Sequence, residues 1–356
     1  SIKDYTAVNP EFGTMEEFKQ LVAKCQEMGF KVLLDWVANH SAWDHKWVNE
    51  NPDWYIKDST GNICSPVPDW SDVAGLNYQN SDMRKAMIDE MKFWLTECNI
   101  DGFRCDVAGM VPTDFWEEAR PELDKIKPVF MLAEWEDTPE LHHNAFDMSY
   151  TWKFHHLMCD LVKGSKNIAD MEAYFHWNDS AYRPQDYRMY FTCNHDENSW
   201  NGTVFERFGD AYKSFVKLTF AVPGMPLIYG GQEAGLDKVL RFFYKDTIEW
   251  RPHEMEDVFK RLITIKHENP ALWNGLYGGD FCIIQRNSDT NVFAFTRSKD
   301  DNSILFAINL SNTEQRFTFP DNYFGDYHEL VLNEAYAIYN IPVSFKPWEV
   351  LFLRKK

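Results

Sequence analysis

The 356-residue sequence has seven cysteines but no CxxC pair, no HExxH helix and no other zinc-ligand spacing, so a metal-centred chemistry of that kind has no support. It has no GxGxxG or phosphate loop opening a helix, which removes the usual signature of nucleotide chemistry. No apolar run approaches the ~20 residues that a membrane span requires. Basic residues are in deficit. Against 55 Asp and Glu stand only 36 Lys and Arg, and the formal net charge of −19 argues against nucleic acid or an anionic membrane surface as a partner. No signal peptide precedes Ser1, and since the chain starts without Met this assigns no compartment. The odd, scattered cysteines favour reduced thiols and a reducing, cytoplasmic setting over a periplasmic or secreted one.

What is present is material for a large core. Apolar residues make up 44% and charged residues 26%, the composition of a globular chain. Aromatics reach 16%, with 14 Trp and 27 Phe, enough to pack a core and to line a site for flat ligands. The length suits one large α/β barrel plus a smaller domain.

Two regions separate by pattern. Up to about residue 270, β-like runs alternate with amphipathic stretches, which predicts βα units and a parallel sheet. Thr14 and Glu17 form a capping box ahead of a helix that Gly29 ends. Lys31–Val37, Ile100–Cys105, Pro128–Ala133, Phe146–Tyr150, Met189–Cys193 and Pro226–Tyr229 read as six strands. Helices are expected at 83–95, 114–119, 153–162, 211–221 and 256–267. Residues 38–80 lack periodicity and carry Trp43, Trp47, Trp54, Tyr55 and Trp70; a loop of that length is usually functional. After Gly278 and Gly279 the helices stop. Phe281–Gln285, Asn291–Arg297, Ser303–Leu310, Gln315–Phe319, His328–Leu332 and Glu349–Leu353 read as strands of an antiparallel sandwich.

Carboxylates gather where the strands end. Asp35 lies late in DWVANH, Asp106 ends DGFRCD, Glu134 ends VFMLAE and Asp196 follows FTCNH. Any one of them could simply cap the next helix. Four together point to the C-terminal face of a barrel, where βα loops build active sites. Twenty-eight residues separate Asp106 from Glu134, room for one crossover helix, so their strands are expected to be neighbours about 4.8 Å apart. That spacing matches the ~5–5.5 Å carboxyl separation of a retaining glycosidase. Arg104 leaves its strand on the same face as Asp106 and favours that residue's ionised form, as a nucleophile requires, besides pairing with Asp35. Glu134 follows Met131, Leu132 and Ala133, an apolar approach that would help it keep a proton. His40 and His195 fall in the same layer and suit contacts with substrate hydroxyls. His142–His143 and His155–His156 are expected to be solvated.

These segments carry a resemblance. DWVANH (35–40), DGFRCDVA (101–108), AEWE (133–136) and FTCNHDEN (191–198) resemble, in order, the four signature regions of the α-amylase family of retaining glycoside hydrolases. GMPLIYGGQE (224–233) is similar to the family's eighth-strand segment, and DVAGLNY (72–78) to the motif closing its inserted B domain. The resemblance implies a (β/α)8 TIM barrel (1–37 and 81–270), a B domain (38–80) and a C-terminal antiparallel β-sandwich (279–356). It implies Asp106 as nucleophile, Glu134 as acid/base and Asp196 as a third carboxylate gripping sugar hydroxyls. Arg104, His40 and His195 would line the subsite of the attacked sugar, with Asp35 supporting Arg104. By this alignment Lys31–Val37 corresponds to the third barrel strand. The first two strands are then missing from this chain, and the natural protein is expected to be longer or completed by another polypeptide. Many relatives carry Lys-His where this chain has Ala108 and Gly109, at an acceptor subsite and a calcium site. Asn39, often linked to that calcium ion, is kept; no other cofactor is implied.

The implied activity is hydrolysis of α-glucosidic bonds, α-1,4 first, in starch-like glucans or malto-oligosaccharides. Trp43, Trp54 and Trp70 would either stack on sugar or pack the B domain's own core. A transglycosylase would share the intermediate. A non-catalytic, amylase-like binding scaffold would typically have lost one of the three acids, which are all present here. The oligomeric state is not legible.

Overall fold

The computed structural model describes residues 1–285 and 289–356, in two compact units, Ser1–Tyr150 and Thr151–Lys356. Among the described residues no helix is long and apolar enough to cross a membrane.

The first unit begins with the helix Met15–Glu27, whose N-terminus is closed by the expected box: Glu17 N–H donates to Thr14 Oγ1 at 3.2 Å, and Thr14 N–H donates to Glu17 Oε2 at 2.8 Å. Strand β1 (Leu33–Trp36) follows. Residues 38–80 are not featureless. Their ends pair as an antiparallel ribbon, β2 (His40–Ala42) with β3 (Val73–Gly75), His40 opposite Gly75. Trp47 and Tyr55 are buried inside the segment, and Trp54 lies edge-on to Trp47 at 5.0 Å, so these rings pack a core. Trp43 stays exposed, and Trp70 meets the His40 ring edge-on at 5.7 Å. The helix Ser81–Cys98 then buries Met83, Met87, Met91, Trp94 and Leu95 at the anticipated spacing.

Strands β4 (Gly102–Cys105), β5 (Phe130–Ala133) and β6 (Met148–Tyr150) complete a parallel sheet in the order β1-β4-β5-β6. Gly102 has φ +153°, and a Cβ there would sit 1.9 Å from the Phe130 carbonyl oxygen, so only glycine lets β4 enter this close to β5. The helix Thr113–Asp124 makes the crossover between them.

In the second unit, β7 (Tyr187–Phe191) and β8 (Met225–Leu227) run parallel, Met189 opposite Met225. Helices Trp152–Lys163, Tyr212–Ala221 and Glu254–Glu268 fall where expected. The helix Ile168–Ala181 was not anticipated. The C-terminal part is a six-stranded antiparallel sheet. Its strands β9 (Asp280–Ile283), β10 (Val292–Lys299), β11 (Asn302–Asn309), β13 (Gly325–Glu329), β14 (Glu334–Ile338) and β16 (Val350–Lys355) are ordered β14-β13-β16-β11-β10-β9. A ribbon of β12 (Gln315–Phe317) and β15 (Val343–Phe345) accompanies it. Alternation divides the strands: Phe293, Phe295, Phe306 and Phe352 join the core formed with the unit's helices, while Val292, Ala294, Leu305 and Leu353 pack with Phe317 and Phe345 of the ribbon. Strands β14 and β15 are additions to the sequence reading, and β13 begins three residues before the expected His328.

Candidate active site

The first unit brings three of the named acids together around one cation, Arg104. In the paired registers Asp35 faces Arg104 across β1 and β4, and Cys105 faces Ala133 across β4 and β5. The ladder runs one residue beyond the strands: Asp106 N–H donates to the Trp36 carbonyl at 2.9 Å and Glu134 N–H to the Cys105 carbonyl at 3.0 Å. Asp106 and Glu134 therefore leave strands that are neighbours, as their sequence separation predicted, and they leave them at the same level.

Arg104, 8% exposed, ties them. Its Nη1 donates to Asp35 Oδ1 at 2.8 Å and to Asp106 Oδ1 at 2.9 Å. Its Nη2 lies 2.8 Å from Glu134 Oε1, as an ion pair rather than an aligned hydrogen bond. Its Nε donates to the Tyr150 hydroxyl at 3.2 Å, and the guanidinium carbon sits 5.6 Å from that ring's centroid. Burial disfavours the Arg104 charge, but Tyr150, Glu134, Asp35 and Asp106 outweigh it and hold the group above its ordinary value. Burial also pushes the Tyr150 phenol up to about 12. The guanidinium is thus a fixed positive centre in a nest of acceptors.

The expectation that Arg104 would distinguish Asp106 from Glu134 needs correction. One guanidinium serves both acids, and Glu134, though 7% exposed, also accepts from Val107 N–H at 2.9 Å through Oε2. Its surroundings are not simply apolar. The Val107 contact depends on an unusual backbone, φ +37° and ψ +46°, a left-handed conformation costly for a β-branched residue. Nothing in the sequence signalled it.

Gly109 explains the departure from the Lys-His pair in structural terms. A Cβ at 109 would lie 2.1 Å from the Trp135 indole, which is held by an Nε1–H donation to Thr138 Oγ1 at 3.0 Å. The ring next to Glu134 occupies the space that a side chain at 109 would need.

His40 is buried on β2, and burial lowers its pKa while the Asp106 charge opposes that shift. Asn39 turns its amide nitrogen toward His40 Nδ1 at 3.3 Å. Calcium favours six to eight oxygen ligands. Among the described residues no group of three or more His, Cys, Asp or Glu side chains is placed to hold a metal.

In the second unit His195 and Asp196 open the helix His195–Asn201, which follows β7; their side chains lie 3.4 Å apart and are partly exposed. Asn194 caps the helix by accepting from Glu197 N–H at 2.8 Å. Glu197 points inward, 3.0 Å from His155 Nε2 and 2.7 Å from Arg207 Nη1. Burial raises its pKa, yet these partners prevail and hold it down at about 2. His155 is fully buried, stacked on Phe191 at 4.9 Å, and His142 is buried with Nε2 2.9 Å from Ser149 Oγ; neither is the solvated residue expected, whereas His143 and His156 are exposed. Tyr150 was missed as a site residue, although its place at the end of a predicted strand was signal enough. All seven cysteines are free.

The family described as alpha amylase, catalytic domain, matches residues 1–309. A maltogenic α-amylase from Bacillus acidopullulyticus is 27% identical over 88% of this chain and 57% of its own length, so the chain spans a little over half of that relative. A cyclomaltodextrinase from Thermoanaerobacter pseudethanolicus is 26% identical over 88% of the chain and 58% of its own. Among solved structures, a noncanonic maltogenic α-amylase from Thermotoga neapolitana superposes with a TM-score of 0.88 at 26% identity, covering 99% of this chain and 84% of its own. With parallel strands ending in acids and a C-terminal antiparallel sheet, the chain belongs to the α-amylase family.

Proposed function

We propose that the protein is a retaining glycoside hydrolase acting on α-glucosidic bonds, α-1,4 first, in starch-like glucans or malto-oligosaccharides. The observation that carries the reading is the Arg104 guanidinium holding Asp106 and Glu134 on adjacent, register-matched strands. Strands about 4.8 Å apart put two such carboxyls near the ~5–5.5 Å that lets both reach one sugar carbon without a water between them. An Asp106 oxygen attacks the anomeric carbon as its bond to the glycosidic oxygen breaks, and Glu134 gives that oxygen its proton. Water, surrendering a proton to Glu134, then attacks the same carbon and releases Asp106. The nearby relatives named as maltogenic amylase and cyclomaltodextrinase support this substrate class. No organic cofactor enters the scheme.

Asp196, His195 and His40 take the hydroxyls of the attacked sugar, and Arg104 with Asp35 fixes the orientation of Asp106. In this reading residues 1–37 and 81–270 supply strands three to eight of a (β/α)8 barrel, residues 38–80 an inserted domain and residues 279–356 a C-terminal β-sandwich. The test is a panel of starch, pullulan, cyclodextrins, maltose, isomaltose and sucrose. Cleavage of at least one α-1,4-linked substrate, with the α anomer formed first by NMR, supports the reading; first formation of the β anomer removes Asp106 as nucleophile.

A further inference from the structure

Three large rings lie together on the surface of the second unit. Trp200, Phe242 and Phe243 are 59%, 48% and 69% exposed. The Trp200 centroid is 5.0 Å from Phe242 and 6.1 Å from Phe243, and the two Phe rings are 5.0 Å apart. Large rings left in water forgo the stabilisation that burial would give them. A contiguous cluster therefore marks a surface that meets something.

Its position narrows what that is. Trp200 follows Asp196 by four residues on the helix His195–Asn201, so both leave the same helix face one turn apart. The segment carrying the two Phe residues is fastened to that helix by a buried side chain: Asn198 Nδ2 donates to the Lys238 carbonyl at 3.0 Å, and its Oδ1 accepts from Leu240 N–H at 2.9 Å. Asp246 closes the segment on itself, pairing with Lys238 and accepting from Arg241 N–H at 3.2 Å and Thr247 N–H at 2.8 Å. The rings are held in place rather than left on a free loop. A pyranose has apolar C–H faces and a rim of hydroxyls. Rings beside a carboxylate and an imidazole match both halves of that chemistry, whereas a lipid surface or a second copy of the chain would have no use for the adjoining Asp196.

We propose that Trp200, Phe242 and Phe243 form a stacking subsite for the α-glucan chain, continuous with Asp196, which favours substrates long enough to reach it. This rests on Asp196 gripping the attacked sugar. The test compares wild type, Trp200→Ala and Phe243→Ala on maltoheptaose and on a short chromogenic α-glucoside, with maltoheptaose binding measured by calorimetry. Expected is an about tenfold loss of kcat/KM and affinity for maltoheptaose, the scale of one lost aromatic contact, with less than about twofold change on the short substrate. Equal losses on both substrates, or unchanged maltoheptaose affinity, overturn the subsite, as does a ring substitution that alters only sedimentation. A wild type that binds maltoheptaose through Trp200 but cleaves neither substrate overturns the catalytic reading and leaves the subsite standing.

Discussion

Arg104 is the residue on which the first unit's acids depend. Without it, Asp35, Asp106 and Glu134 would face one another with no cation between them. Its planar fork reaches Asp106 from one amino group and Glu134 from the other, which a lysine cannot do. Arg104→Lys is expected to lower kcat/KM by about two to three orders of magnitude while the far-ultraviolet circular dichroism stays native; near-normal turnover would show that the bidentate grip is dispensable. Asp106→Asn should lower kcat by about four orders of magnitude or more, because in the proposed mechanism it removes the charge of the attacking oxygen while leaving binding intact. At this scale the sequence shows the acids and the arginine plainly, since their order and strand-end positions are local facts. It does not show the left-handed Val107 that turns an N–H toward Glu134, or the Trp135 ring against Gly109, because both arise from contacts made only after folding.

Elements then decide how firmly those residues are held. The helix bearing His195 and Asp196 is fixed from below by Glu197, whose carboxylate is shared by His155 and Arg207. Its pKa is held at about 2 in the folded protein, against 4.5 ordinarily, so between these values the unfolded chain binds more protons. The pairing therefore stabilises fully above pH 4.5 and is lost as pH falls toward 2, worth about 2–3 kcal/mol. Chemical denaturation at pH 2.5–6 should show this loss in wild type and a flatter profile in Glu197→Gln; parallel profiles would refute the linkage. Lys266 behaves oppositely on the helix Glu254–Glu268. Burial, with Arg297 adding to it, lowers its pKa to about 7, so the unfolded chain binds the extra proton between pH 7 and 10.5 and stability rises across that window. Lys266→Met should be about 1–3 kcal/mol more stable than wild type at pH 7, the difference shrinking toward pH 10. The helix Ile168–Ala181 escaped sequence reading because its apolar residues do not keep to one stripe; Trp177 lies off the buried set of Met171, Tyr174 and Phe175. Strands β14 and β15 escaped for a different reason, being short and largely open to solvent.

Over the whole molecule the sequence divides correctly into a βα-alternating part and a strand-only part, because periodicity changes from helical to twofold at that border. The sequence did not reveal that the C-terminal sheet buries its Phe-rich face in one core with the preceding helices. The net charge of −19 has a kinetic consequence. A neutral glucan is not steered by that field, so kcat/KM on malto-oligosaccharides should change by less than about twofold as the Debye length shortens between ~0.01 and ~0.15 M salt. A steep salt dependence would contradict this and show that the field acts on the site itself.

The most direct test of the site is to trap its intermediate with an α-glucosyl fluorosugar whose good leaving group lets the glycosyl-enzyme form and whose ring fluorine slows its hydrolysis. Peptide mass spectrometry should then find one sugar esterified to Asp106, and none in Asp106→Asn. A sugar attached to a different carboxylate, or full turnover with no covalent adduct, would contradict the account.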